Sequence, residues 1–169
     1  TLRYKDGAPD PATVDLVYDQ LDFTRGIDTF LRGMSATSVH AVCKGFEDIG
    51  VKTNQDIALT GNLMDARTLF LTPNTTTVYT FFCVDLKGGP VVVRVPPRVL
   101  GPIDDADFRW VTDLGLTGPD KGAGGDYLLL PPGYDGDVPA SGYHVVKPRT
   151  NRVIVFYRAF VENGNVAAA

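Results

Sequence analysis

From residue 12 onward apolar side chains recur three or four positions apart: Val14, Val17 and Leu21, then Ile27, Phe30 and Leu31. That spacing stacks side chains along one face of a helix. Asp10 or Thr13 supplies a cap for its start, and Asp15 places a negative charge in its first turn. Gly26 weakens the middle, and Gly33 is expected to end it. A second, shorter helix is predicted over 36–49, with Val39, Val42, Cys43 and Phe46 on one face and Gly50 as its stop. Residues 1–11, with Gly7, Pro9 and Pro11, predict an extended lead-in, and 51–62 shows no period and reads as a loop.

After Asn62 the pattern turns sheet-like. Residues 68–72, 76–85 and 91–95 are rich in β-branched and aromatic side chains, which favour strands. Lys87-Gly88-Gly89-Pro90 predicts a hairpin connection between the last two, and Pro96-Pro97 ends the third, because proline cannot donate to a ladder. Residues 103–114 fit either a strand or a short helix. The glycine-rich stretch 115–125 predicts a long mobile loop. Strands at 126–130 and 142–147 lie beyond it, the first followed by a Pro131-Pro132-Gly133-Tyr134 turn. Residues 152–161, apolar except for Arg158 at their heart, predict a central strand. The expected fold is α+β, with N-terminal helices packed on a mostly antiparallel β-sheet and loops gathered at the sheet ends.

Composition narrows the function classes. The 169 residues suit one domain, and 44% hydrophobic with 21% charged residues is ordinary for a globular protein. A net charge of −4 argues against a nucleic-acid partner, since such binders concentrate Lys and Arg on one face. No apolar run approaches the roughly 18 residues of a spanning helix, so no transmembrane segment is expected. Cys43 and Cys83 match neither a disulfide framework nor a metal spacing, and two small buried hydrophobes are the favoured reading over a single bridge. His40 and His144 have no His, Glu or Cys at ligand spacing, so no metal site is expected, and His40 reads as a packed core histidine. The segment 118–125 lacks the Lys-Ser/Thr ending of a phosphate loop, no strand–helix Gly-x-Gly-x-x-Gly is present, and no cofactor is expected.

What remains is the corner Thr72-Pro73-Asn74-Thr75-Thr76-Thr77-Val78-Tyr79, preceded by Asp65-Ala66-Arg67. Pro73 fixes one dihedral and Asn74 tolerates turn conformations, so the segment is stiff before any ligand arrives. The plainer reading is a turn whose threonines serve strand propensity. The sharper one is a set of amide and hydroxyl groups, Asn74, Thr76 and Tyr79, converging on a polar ligand with Arg67 or Arg158 to neutralise it. A guanidinium inside a strand needs a carboxylate or several carbonyls around it. Arg158 therefore either pairs with an Asp such as Asp85 or Asp126, or reads an anion.

Several motifs in order resemble the bacterial DUF1254 family. They are Asp22-Phe23-x-Arg25, Asp65-Ala-Arg-Thr-Leu69, the 72–79 corner, Asp85-Leu-x-x-Gly-Pro90-Val-Val, Gly118-Pro-Asp-Lys-Gly122, Gly125-Asp-Tyr-Leu128 and Pro131-Pro-Gly-Tyr134. The likeness spans about 18–164. It implies that 1–169 is a single DUF1254-like domain from a longer protein with a second, DUF1214-like domain, and it favours a periplasmic or secreted location. It implies no activity. Asn74 and Tyr79 fall on the family's most recognisable motif, and many relatives carry an acid where this chain has Thr76, which counts against a catalytic carboxylate there. The leading expectation is a small polar or anionic ligand held by Arg67, Asn74, Thr76, Tyr79 and Arg158. One alternative is a hydrolase using Tyr79 or an Asp as acid–base with an arginine stabilising developing charge. Another is a structural domain that self-assembles into a homo-oligomer through its sheet edges.

Overall fold

The computed structural model describes residues 1–68, 73–162 and 165–166. A small ribbon, β1 (Tyr4–Lys5) with β2 (Ala8–Pro9), leads into α1 (Pro11–Asp48). There follow β3 (Ala58–Leu59), β4 (Thr77–Asp85), β5 (Val91–Val95), β6 (Val99–Asp105), β7 (Trp110–Gly115), β8 (Gly125–Leu129), β9 (His144–Val146) and β10 (Arg152–Phe160). One sheet runs β3-β4-β10-β6-β7 and is antiparallel throughout; the other runs β5-β8-β9, with β8 and β9 parallel. The fold is α+β with mostly antiparallel sheets, and the 152–161 run forms the middle strand of the larger sheet, as its apolar pattern predicts.

Alternation along β10 explains the layers. Val153, Val155 and Tyr157 point to one face, where they meet Phe82, Val84, Val99 and Ile103 of their own sheet and Val93, Val95, Tyr127, Leu129 and Val146 of the other. This is the sandwich core. Buried carboxylates tie its loops. Asp105 accepts from the Asp107 and Arg109 amides and from Arg109 Nε, closing the β6–β7 turn. Asp120 accepts from the Gly115 and Gly124 amides at 2.8 and 3.0 Å and from Tyr127 Oη at 2.5 Å. The 115–125 loop, expected to be mobile, is thus fastened to the core by one side chain.

Several local expectations need correction. In place of two helices there is one of 38 residues, capped by Asp10, whose carboxylate accepts from the Thr13 amide at 2.7 Å, and started by Pro11. Gly26 and Gly33 lie inside it at a cost of about 1 kcal/mol each relative to alanine, too little to break a long helix. The 87–90 turn does not make a hairpin. Asp85 caps a 3-10 turn, Leu86–Gly88, after which β5 leaves for the other sheet and pairs with β8. Residues 103–114 belong to β6 and β7, and 51–62 contains β3. The strand expected at 68–72 lies, apart from Thr68, outside the described residues. His40 is exposed on α1 and is not a core histidine. Cys43 and Cys83 are bridged, with their Cα atoms 5.9 Å apart, which overturns the reading as free buried thiols. No helix among the described residues is long and apolar enough to cross a membrane.

Candidate functional site

The second face of the larger sheet carries Ile154, Phe156 and Arg158 from β10. Opposite them on β4 stand Cys83, Phe81 and Tyr79; on β6, Asp104 faces Ile154 and Leu100 faces Arg158. Helix α1 covers only one end of this face, where Val39 and Cys43 pack on Cys83 and Ile154 and Phe46 approaches Phe81 at 6.0 Å. Toward Arg158 the face is left open as a groove of about 310 Å³, lined by Tyr79, Leu100, Pro102, Asp113, Phe156 and Arg158 among others. Two of its lining rings belong to an aromatic cluster: Tyr79 stacks on Phe81 at 5.5 Å, Phe81 on Phe156 at 6.2 Å, and Phe108 lies on Phe156 at 6.2 Å.

Among the described residues the guanidinium of the half-buried Arg158 has no ion pair and no hydrogen bond, although its backbone lies within the β4–β10–β6 ladders. Four other arginines of the sheet half are engaged, Arg94 with Asp126, Arg109 with Asp105 and Asp107, Arg152 with Glu47, and Arg98 with Glu162, while the exposed Arg149 has no ion pair among the described residues. Neither acid named as its structural partner is available, because Asp85 caps the 3-10 turn and Asp126 holds Arg94.

The polar corner meets the groove at Tyr79, whose Oη accepts from the Asn74 amide at 2.9 Å. Among the described residues its own hydroxyl hydrogen has no acceptor. The Asn74 side-chain oxygen accepts from the amides of Thr76 and Thr77 at 3.0 and 2.9 Å and from both their hydroxyls. It is an Asx-type cap that starts β4, and its acceptor capacity goes to its own turn. Thr76 is exposed on that turn, and Arg67 is exposed in a forked pair with Asp65. Of the five residues singled out in the sequence, Tyr79 and Arg158 therefore line the groove, Asn74 buttresses Tyr79, and Thr76 and Arg67 lie on the surface outside the lining.

Sequence reasoning missed two carboxylates. Asp104, next after Pro102 on the same face of β6 and opposite Ile154, is a largely buried residue whose carboxylate keeps access to solvent and receives no hydrogen bond among the described residues. Burial, reinforced by Asp105 and Asp113, pushes its pKa up to about 6. Asp113 lines the groove and accepts from Trp110 Nε1 at 3.0 Å. An acid two positions beyond Pro102 in a strand otherwise led by Val99, Leu100 and Ile103 was the only signal, and which face it takes depends on the partner strand. Among the described residues no three His, Cys, Asp or Glu side chains gather as a metal site.

A family model described as a protein of unknown function (DUF1254) matches residues 53–169. Among solved structures, the crystal structure of the VPA0106 protein from Vibrio parahaemolyticus is similar in fold, with a TM-score of 0.61 at 20% identity. The likeness covers 83% of this chain and 33% of that one, so the chain spans about a third of the Vibrio protein's length. No curated protein matches.

Proposed function

The chain belongs to the DUF1254 family, and we propose that it binds a small organic anion with an apolar body in the groove beside Arg158. The single observation behind this reading is Arg158 itself, a half-buried guanidinium with no carboxylate in ion-pair distance among the described residues, although Asp113 lines the same groove. Partial desolvation of an unpaired charge is unfavourable, and an anionic ligand relieves it. Tyr79 Oη donates the second hydrogen bond, Asn74 keeps that phenol aimed, and Phe156, Leu100 and Pro102 hold the apolar body. A groove of about 310 Å³ is at the small end of ligand pockets. In this reading Arg67, paired with Asp65, and Thr76, bonded to Asn74, do not contact the ligand. In the same reading the domain works beside a DUF1214-like domain in an exported bacterial protein. The Cys43–Cys83 bridge supports export, because disulfides persist in oxidising compartments.

The test is calorimetric titration with acetate, hexanoate and phenylacetate. Affinity is expected to rise with apolar length, and Arg158→Ala to weaken phenylacetate at least about tenfold, equivalent to about 1.4 kcal/mol. Arg67→Ala is expected to change nothing. Titrations in which neither Arg158→Ala nor Asn74→Ala alters binding of any of the three overturn the proposal.

Asp104 supports a second reading, a hydrolase. A carboxyl titrating near 6, with Asp113 near it, suits proton transfer near neutral pH. It predicts turnover of small esters that Asp104→Asn abolishes while leaving anion binding intact.

A further inference from the structure

The amino-terminal half of α1 touches little of the molecule. Every residue over 15–32 is exposed, and the helix buries only Thr13, Val39 and Cys43. Yet this half is not polar all round. Leu16, Gln20, Phe23, Ile27, Phe30 and Met34 recur at alternating steps of four and three, the spacing of a helix-pairing seam, with Val17, Thr24 and Leu31 widening one side. Phe23 is 66% exposed, Phe30 69%, Leu31 60% and Met34 51%. The charges of this half, Asp15, Asp19, Asp22, Arg25, Asp28 and Arg32, all fall off the seam.

This seam is not a continuation of the face that meets the sheet. Carried on at the same period it passes through Ala41, whereas the sheet is met by Val39, Cys43 and Phe46 well round the helix, with Val42 on the same side as the seam's Val17–Thr24–Leu31 edge. The sheet that holds the carboxy-terminal half therefore does not cover the seam.

We infer that the seam is the interface between two copies of this chain, their α1 helices crossing antiparallel about a two-fold axis near Gly26. Three features select a second copy. The seam is self-complementary, because reversing it brings Leu16 against Met34, Phe23 against Ile27 and Val17 against Leu31, with no like charges opposed; Asp19 meets Gly33. A side chain at Gly26 or Gly33 would meet nothing within 4 Å, so nothing in the single molecule requires glycine there, whereas a crossing helix does. Weighting an area of about 150–200 Å² per side chain by the exposures gives on the order of 700 Å² per copy, near the ~800 Å² per partner of a standard interface.

Sedimentation equilibrium of the whole chain, from micromolar to sub-millimolar concentration, tests this. The expected result is twice the monomer mass. Ile27→Asp should return the monomer mass, and Gly26→Leu, which has room in the single molecule and raises helix propensity, should weaken the dimer at least about tenfold. Circular dichroism confirms that both variants keep their helix. A monomer at every concentration, the result expected if another segment or protein covers the seam, overturns the proposal, as does a dimer that survives both substitutions.

Discussion

Strand β10 sends Val153, Val155 and Tyr157 to one side of the larger sheet and Ile154, Phe156 and Arg158 to the other. On the first side a second sheet closes a core in which Ile103, Tyr127, Leu129, Val153 and Val155 have no solvent exposure. On the second side one helix end and a disulfide cover the Ile154 end, and the surface toward Arg158 stays open. The same strand thus builds a stability face and a site face, and the two are separable by mutation. Arg158, with no charged counterpart at Val153, Val155 or Tyr157, tells them apart.

The largest effect should come from the helix attachment. Removing a bridge across a sequence separation of 40 by Cys43→Ser and Cys83→Ser is worth about 4 kcal/mol in the loop-entropy picture. Because α1 has few other contacts with the sheet, amide exchange should rise first over 36–48, while β5, β8 and β9 stay protected; equal loss of protection on both sides would break the contrast. Leu129→Ala acts on the stability face and should cost about 3 kcal/mol through its cavity, with denaturant unfolding as the readout and phenylacetate affinity unchanged.

A smaller effect is pH-dependent. Asp104 titrates near 6 in the folded protein against an ordinary 3.8, so the native state holds its proton more tightly than the unfolded chain. This group's contribution to stability is therefore largest below about pH 4, falls as pH rises through 6 and levels above it, by at most about 3 kcal/mol. Asp104→Asn should flatten that slope and make the variant the more stable protein at pH 8. Stability curves of wild type and variant that run parallel from pH 4 to 8 would contradict the assignment.

How much was legible in the sequence follows from how local each feature is. The run Val153-Ile154-Val155-Phe156-Tyr157 identifies a central strand by itself, and Tyr79 and Arg158 stood out by motif and by interruption of an apolar run. The sequence suggests two helices because the apolar stripe changes face between Met34 and Val39, which imitates an end when Gly33 lies at the switch. Turn chemistry at 87–90 announced a turn correctly but held no information on which sheet receives β5. The Cys43–Cys83 bridge and the place of Asp104 on the groove face both depend on strand order, a long-range property that spacing does not record.

The most direct measurement is the nitrogen-15 spectrum of the arginine side chains during addition of phenylacetate. Formation of a charge-assisted pair should move and sharpen the Arg158 Nε resonance, and leave those of Arg94 and Arg109, already engaged with Asp126 and Asp105, where they were. An Arg158 signal that stays fixed to saturation, or that moves no more than those two, would contradict the account.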